Sequence, residues 1–327
     1  MLRTFWMAVL GCATAAAQQR TIPLPGAGIA GFAVLRDTAS GDVLFTWGED
    51  VYRIALDTGK RERIAQGQFA EGGCVMDAGL ILNSIEPREL IWLRLADRKR
   101  FVVDTGVDTR DAIPADLIGH HGVLLIHKRQ QVRFYEFPSP MKDGWAETEL
   151  YTIYTPSTEG GLAIADVDGD GLPDLLCGNY WMKSPTRFEL PWREFAIDTW
   201  NEEAGSAMLH LAWSDRVRVA AQRDMRPARA AWFERPADPK QLWRPHDLGP
   251  LQGAAGIQFI NEDLFILEQD SPGRLLQFRR QGGGFGPGKV LIRTNGGVGL
   301  ARLPGNRLLV LEKNRIAVLR LRNFELR

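Results

Sequence analysis

A glycine-rich lead-in followed by an apolar strand recurs along this chain, and no other feature constrains its folding as much. The clearest copies read AEGGCVMD (Ala70 to Asp77), TEGGLAIAD (Thr158 to Asp166), EAGSAMLHLAW (Glu203 to Trp213), GAAGIQFI (Gly253 to Ile260) and NGGVGLARL (Asn295 to Leu303). GAGIAGFAVL (Gly26 to Leu35) and DAIPADLIG (Asp111 to Gly119) fill the same slot less closely. Each lead-in opens a run of short apolar segments separated by Gly, Pro, Asp and Asn, and several runs close on FVVDTG, ELYTIYT, REFAIDTW, RPHDLG or KVLIRT. Short runs without long helical periodicity indicate an all-β chain. The spacing gives seven units of about 41–49 residues, the length of a four-stranded propeller blade.

A lone four-stranded sheet cannot bury both faces. Packing such sheets face to face around an axis buries them and leaves only short edges. Glycine at the lead-in suits the innermost strand, where sheets crowd the axis. The seventh unit holds three strands (Leu300 to Leu303, Leu308 to Glu312, Ile316 to Leu321), and Arg20 to Gly26 near the other end resembles an orphan fourth strand. Its two prolines suit an outer edge. The expected fold is therefore a seven-bladed β-propeller closed by the N-terminal strand as the outer strand of the last blade. A β-sandwich or two smaller β domains is the alternative, but no linker-like stretch divides the chain.

The opening residues, MLRTFWMAVLGCATAAA, place Arg3 before an apolar core and Ala15–Ala17 at a small-residue cleavage site. That is the pattern of a secretory signal. The expected organisation is a signal peptide over residues 1–17 and one propeller domain over residues 18–327, in the periplasm or outside the cell. Val9-Leu10-Gly11-Cys12 loosely resembles a bacterial lipobox, so a lipid anchor at Cys12 is the competing reading. No stretch is apolar enough to span a bilayer. Forty basic residues balance forty acidic ones, which argues against nucleic acid as a partner. Three cysteines cannot form a disulfide scaffold.

One loop carries coordination chemistry. Asp166-Val167-Asp168-Gly169-Asp170-Gly171-Leu172-Pro173-Asp174 sets carboxylates at positions 1, 3, 5 and 9, with glycine at 6 and a backbone carbonyl at Leu172 free to turn inward. Hard oxygen ligands on a flexible loop suit Ca²⁺ better than Mg²⁺. Position 12 holds Cys177 instead of the glutamate of an EF-hand, and both flanks read as strands. The segment IADVDGDGLPDLLCGNYW resembles the FG-GAP/VCBS repeat of seven-bladed propellers, a group that includes the integrin alpha head. The match is complete only in the fourth unit, and the literal Phe-Gly and Gly-Ala-Pro signatures are missing. The resemblance implies a structural calcium held by Asp166, Asp168, Asp170, Leu172 and Asp174, stapling the turn between the first two strands of a blade.

The opposite end of the ring is the candidate binding face. There the lead-ins bring Glu71, Asp111, Glu159, Glu203 and Asn295, and the turns between second and third strands bring Trp181, Arg223, Gln269 and Lys313, among others. A polar ring with a few aromatics around a central opening suits a small ligand or glycan. The expected function is a non-catalytic exported propeller that binds a glycan or an extracytoplasmic protein. The alternative is a carbohydrate lyase or hydrolase using the channel carboxylates Glu71, Asp111, Glu159 and Glu203. No zinc spacing, nucleophile elbow or phosphate loop occurs in the sequence, so no catalytic residue is assigned.

Overall fold

A computed structural model describes residues 18–24, 28–37, 41–128, 130–152, 161–198, 209–214, 217–223 and 226–321. Seven four-stranded antiparallel sheets form it, and the chain is a seven-bladed β-propeller. Blades 1 to 6 cover residues 29–66, 69–105, 109–152, 162–196, 209–247 and 254–294. Blade 7 takes three strands from residues 297–320, and Gln18–Pro23 adds the fourth at its outer edge. Six residue pairs, from Gln18↔Arg320 to Pro23↔Arg315, close the ring. The two smaller readings, a sandwich or a pair of domains, are excluded. A two-stranded hairpin at Arg280–Gln281 and Gly284–Phe285 is an unforeseen insertion before the outer strand of blade 6. The signal and lipidation readings at residues 1–17 lie outside the described residues.

The inner strands are Ile29–Asp37, Phe69–Met76, Thr109–Leu117, Leu162–Ala165, Leu209–Ser214, Ala254–Ile260 and Gly297–Leu303. Each contacts the next, and the seventh returns to the first. Their glycines answer to this crowding. A Cβ on Gly31 would lie 2.4 Å from the indole nitrogen of Trp47 and 2.5 Å from the Glu71 carbonyl oxygen of the next blade. Real Cβ atoms do not approach that closely, so blades 1 and 2 could not keep their spacing with alanine there.

The core is divided rather than central. Seven apolar clusters occupy the seven interfaces between neighbouring blades. Trp145, Trp192 and Trp243 each stand immediately before the outer strand of blades 3, 4 and 5 and fill such an interface. The interface between blades 7 and 1 joins Ile22 and Leu24 to Leu44, Ile54, Leu309 and Ile316. An Asp42–Arg307 ion pair at 2.7 Å reinforces it.

Near the axis, the second strands end on polar groups that bond backbone in the neighbouring loops. His127 accepts from the Asp108 amide through Nδ1 at 3.2 Å. Glu268 accepts from the Gln252 amide at 3.1 Å, and Glu312 from the Asn295 amide at 2.7 Å. Both glutamates are also bound by an arginine of the following strand, Arg274 at 2.6 Å and Arg315 at 2.7 Å. Burial, with Arg133 and Lys128 nearby, pushes the His127 pKa down to about 4, so its ring is the neutral acceptor this bond needs.

Ile22 is 6% exposed within the closing interface. Ile22→Ala should cost about 2–5 kcal/mol in urea unfolding, the usual result of truncating a buried isoleucine. A loss under about 0.5 kcal/mol, the size of a surface substitution, would show that the N-terminal strand does not carry ring closure.

Candidate functional site

The turns between second and third strands meet the lead-ins at one end of the ring, and a vestibule of about 1120 Å³ opens there. Consecutive blades build its wall. Arg223 and Arg226 come from blade 5, Gln269, Asp270 and Ser271 from blade 6, and Lys313 and Asn314 from blade 7. Gly28, Ile29 and Ala30 of blade 1 complete one side. A deeper chamber of about 150 Å³ adjoins it, lined by Asp111, Arg110, His210 and Trp47 among others. Glu71 and Arg223 line both spaces.

Those two residues form an ion pair. Glu71 belongs to blade 2 and Arg223 to blade 5, as far apart as a seven-blade ring allows. Their bond therefore crosses the channel between vestibule and chamber. Burial pushes the Glu71 carboxyl above its ordinary range, against the pull of Arg223, and the charge of Asp111 adds to the rise. Asp111 has a second task. Its Oδ2 accepts from the amides of Gly161 at 2.8 Å and Leu162 at 3.0 Å, tying blade 3 to the lead-in of blade 4. Burial raises its pKa as well. Burial, with Arg223 nearby, lowers the pKa of His210, so this chamber-lining ring is neutral.

The structure thus brings Glu71, Asp111 and Arg223 together and leaves two other expected residues out. Trp181 is a correction: it is fully buried, donates through Nε1 to the Pro239 carbonyl at 3.0 Å and stacks on Phe195. It fills the interface between blades 4 and 5 because its strand turns that side chain toward the next sheet and away from the axis. Asn295 is exposed, its amide bound by Glu312, and it lines neither space. Glu159 and Glu203 lie outside the described residues. Arg226, Asp270 and Asn314 were not anticipated, although a signal existed. Arg223, Gln269 and Lys313 each directly follow the last residue of a second strand (Gln222, Glu268 and Glu312), and that register point aims at the vestibule.

The acidic loop joins the first two strands of blade 4, Leu162–Ala165 and Asp174–Cys177, at the other end of the sheet. Asp166 folds it by accepting from the amides of Gly169 at 2.7 Å, Asp170 at 3.1 Å and Gly171 at 2.9 Å. Asp174 is buried and accepts from Val167 at 2.9 Å and Ser184 at 2.7 Å. Burial, with the nearby Asp168 charge, pushes its carboxyl up to about 6. Asp166, Asp168 and Asp174 each offer an oxygen within 4.8 Å of the others. The Asp168 Oδ1 atom is buried and has no hydrogen-bond partner. Three converging oxygens and one orphaned acceptor fit a hard cation. Asp170 and the half-buried Leu172 sit beside them on the loop. Lys183, at the end of the third strand, was not anticipated: its ammonium bonds both Asp168 and Asp170 and supplies positive charge to the same cluster.

No protein-family model matches the sequence, and no curated protein matches it. Solved structures do match in fold. BamB from Moraxella catarrhalis is 11% identical with a TM-score of 0.57, covering 90% of this chain and 85% of that one. The Cps50 (Swd1) β-propeller domain of Myceliophteria thermophila is 13% identical with a TM-score of 0.57, covering 93% and 100%. The extracellular domain of the putative hybrid two-component system BT4673 from B. thetaiotaomicron is 11% identical with a TM-score of 0.60, covering 93% of this chain and 40% of that one. At these identities the likeness establishes the propeller fold and nothing finer. Among the described residues, no helix is long and apolar enough to cross a membrane.

Arg223→Ala leaves Glu71 charged, mostly buried and unpaired. It should cost about 2–4 kcal/mol at neutral pH, between the values of exposed and buried pairs. The deficit should shrink as the pH falls and Glu71 takes up a proton, since losing Arg223 raises a pKa that burial has already raised. Adding Glu71→Gln should recover part of the loss. Equal stability of Arg223→Ala and wild type in denaturant titrations at pH 7 would show that the ion pair is not holding the channel.

Proposed function

We propose that this chain is an exported, calcium-stabilised propeller that binds a glycan or an extracytoplasmic protein group at the channel vestibule. The vestibule itself carries the reading. It is concave, its wall mixes charged pairs, amides and apolar groups, and its volume is just above the usual range for ligand sites. The signal-like opening of the sequence supports export. The test is a screen of saccharides and peptides against wild type and Val298→Trp, which places a bulky ring in the vestibule. Retention of the same ligands by both proteins would move the site elsewhere.

A catalytic reading has one specific support: Glu71 and Asp111 line one chamber, and both carboxyls are raised by burial. Paired acid and base carboxyls are what glycoside cleavage uses. Turnover of a bound saccharide that Glu71→Gln or Asp111→Asn abolishes would favour it over simple binding.

The calcium belongs to the other end, where Asp166, Asp168, Asp170, Asp174 and the Leu172 carbonyl would hold it and FG-GAP/VCBS-like stapling would be its role. When bound it would supply two positive charges to a crowded acidic turn, and Lys183 supplies one without it. A cation that binds only the folded state adds about 2.7 kcal/mol at a hundredfold excess over Kd. Chelation should therefore lower the melting temperature of wild type and leave Asp168→Asn unchanged, and Lys183→Met should keep the calcium response. If calcium has no effect and Lys183→Met alone destabilises, the lysine is the loop's resident cation.

A further inference from the structure

Among the described residues, five charged side chains line the vestibule wall, and their charges do not cancel. Four are already matched: Arg223 with Glu71 across the channel, and Arg226 with Asp270 at 2.7 Å. Arg226 is occupied further, donating to Gln269 at 3.1 Å and to the Arg223 carbonyl at 3.1 Å. The fifth is Lys313. Among the described residues, its ammonium has neither an ion pair nor a hydrogen bond.

Lys313 is nevertheless fixed at its root. Its amide donates to the Gly296 carbonyl at 3.2 Å. Its stem lies against Gly296, whose φ of +88° is in the left-handed region and where an added Cβ would come 3.2 Å from the lysine Cδ. The side chain stands at the same register point as Arg223 and Gln269, directly after a second strand. The rest of the wall is neutral, with an amide and a hydroxyl from Asn314 and Ser271 and an apolar patch from Ile29 and Val298.

We infer that the vestibule takes a hydroxyl-rich ligand with a single negative charge, the acidic-saccharide class, and that Lys313 pairs with its carboxylate. The inference deepens the binding reading above and rests on it. A monoanion neutralises the one cation left unmatched among the described residues. A neutral sugar leaves Lys313 unmatched, and a second acidic group would find there no second unmatched cation, since Arg223 and Arg226 are already paired. Amides and hydroxyls suit the sugar hydroxyls, and the apolar patch suits the C–H face of a pyranose. The volume has room for more than one ring.

The test compares glucuronate with glucose, and galacturonate with galactose, by calorimetric titration at low salt. The probes within each pair differ by a carboxylate in place of the C6 hydroxymethyl group. The acidic member should bind about tenfold more tightly, the value of one charge-assisted hydrogen bond. The gap should narrow at high salt. Lys313→Gln should erase the preference and leave the melting temperature unchanged, because the ammonium has no partner to lose. Equal binding of acidic and neutral sugars, or a preference that survives Lys313→Gln, overturns the assignment of Lys313 while the binding reading stands. If no probe of either charge binds wild type at millimolar concentration, the acidic-saccharide inference and the glycan reading fall together.

Discussion

Ring closure is the constraint on which the rest depends. Each blade is apolar on both faces, and each face is dry only because another blade covers it. The last face is covered when Gln18–Pro23 pairs with the third strand of blade 7, joining the two ends of the described chain in one sheet. That pairing does more than seal an edge. Just beyond the strand, the Leu24 amide donates to the carbonyl of Asn314 at 2.7 Å, and Asn314, Gly28 and Ile29 line the vestibule wall. Closure and site are therefore built by the same few residues.

At the axis the physics changes from burial to polar matching. Inner strands come too close for large side chains, so backbone and charged groups face a narrow channel. The second strands answer by ending on His127, Glu268 and Glu312, which bond lead-in amides. The Glu71–Arg223 pair answers in another way, by reaching across the opening. Satisfying these groups within the protein divides a mouth wide enough for a ligand from a small chamber beneath it. The other end of the ring is shaped by turns. Blades 2, 3 and 6 connect their first two strands through two-residue turns, such as Ile118-Gly119 with φ of 50° and 85°. Blade 4 alone among the fully described blades has the long acidic loop there.

Much of this was legible in the sequence because it follows from local periodicity. Glycine-rich lead-ins, alternating apolar runs and turn residues specify strands and their order. A three-strand last unit and a stray strand near the start specify closure. Spacing also located the acidic loop. What failed was side-chain direction. Trp181 was expected at the binding face and instead fills an interface, since neighbouring positions on a strand point to opposite sides and only the packed sheet says which side is which. Lys183 was invisible because its partners lie 15 and 13 residues earlier, across a turn that brings the third strand over the loop.

The sequence by itself determined a repeating all-β chain, the number of blades and the location of an oxygen-rich turn, because each of these depends on residues near one another in the chain. Only the tertiary structure decided that Glu71 meets Arg223, that Arg226 meets Asp270 and that Lys313 is left unmatched beside them. Those relations join residues from four blades, and they exist only once the ring has closed and set distant turns around one opening.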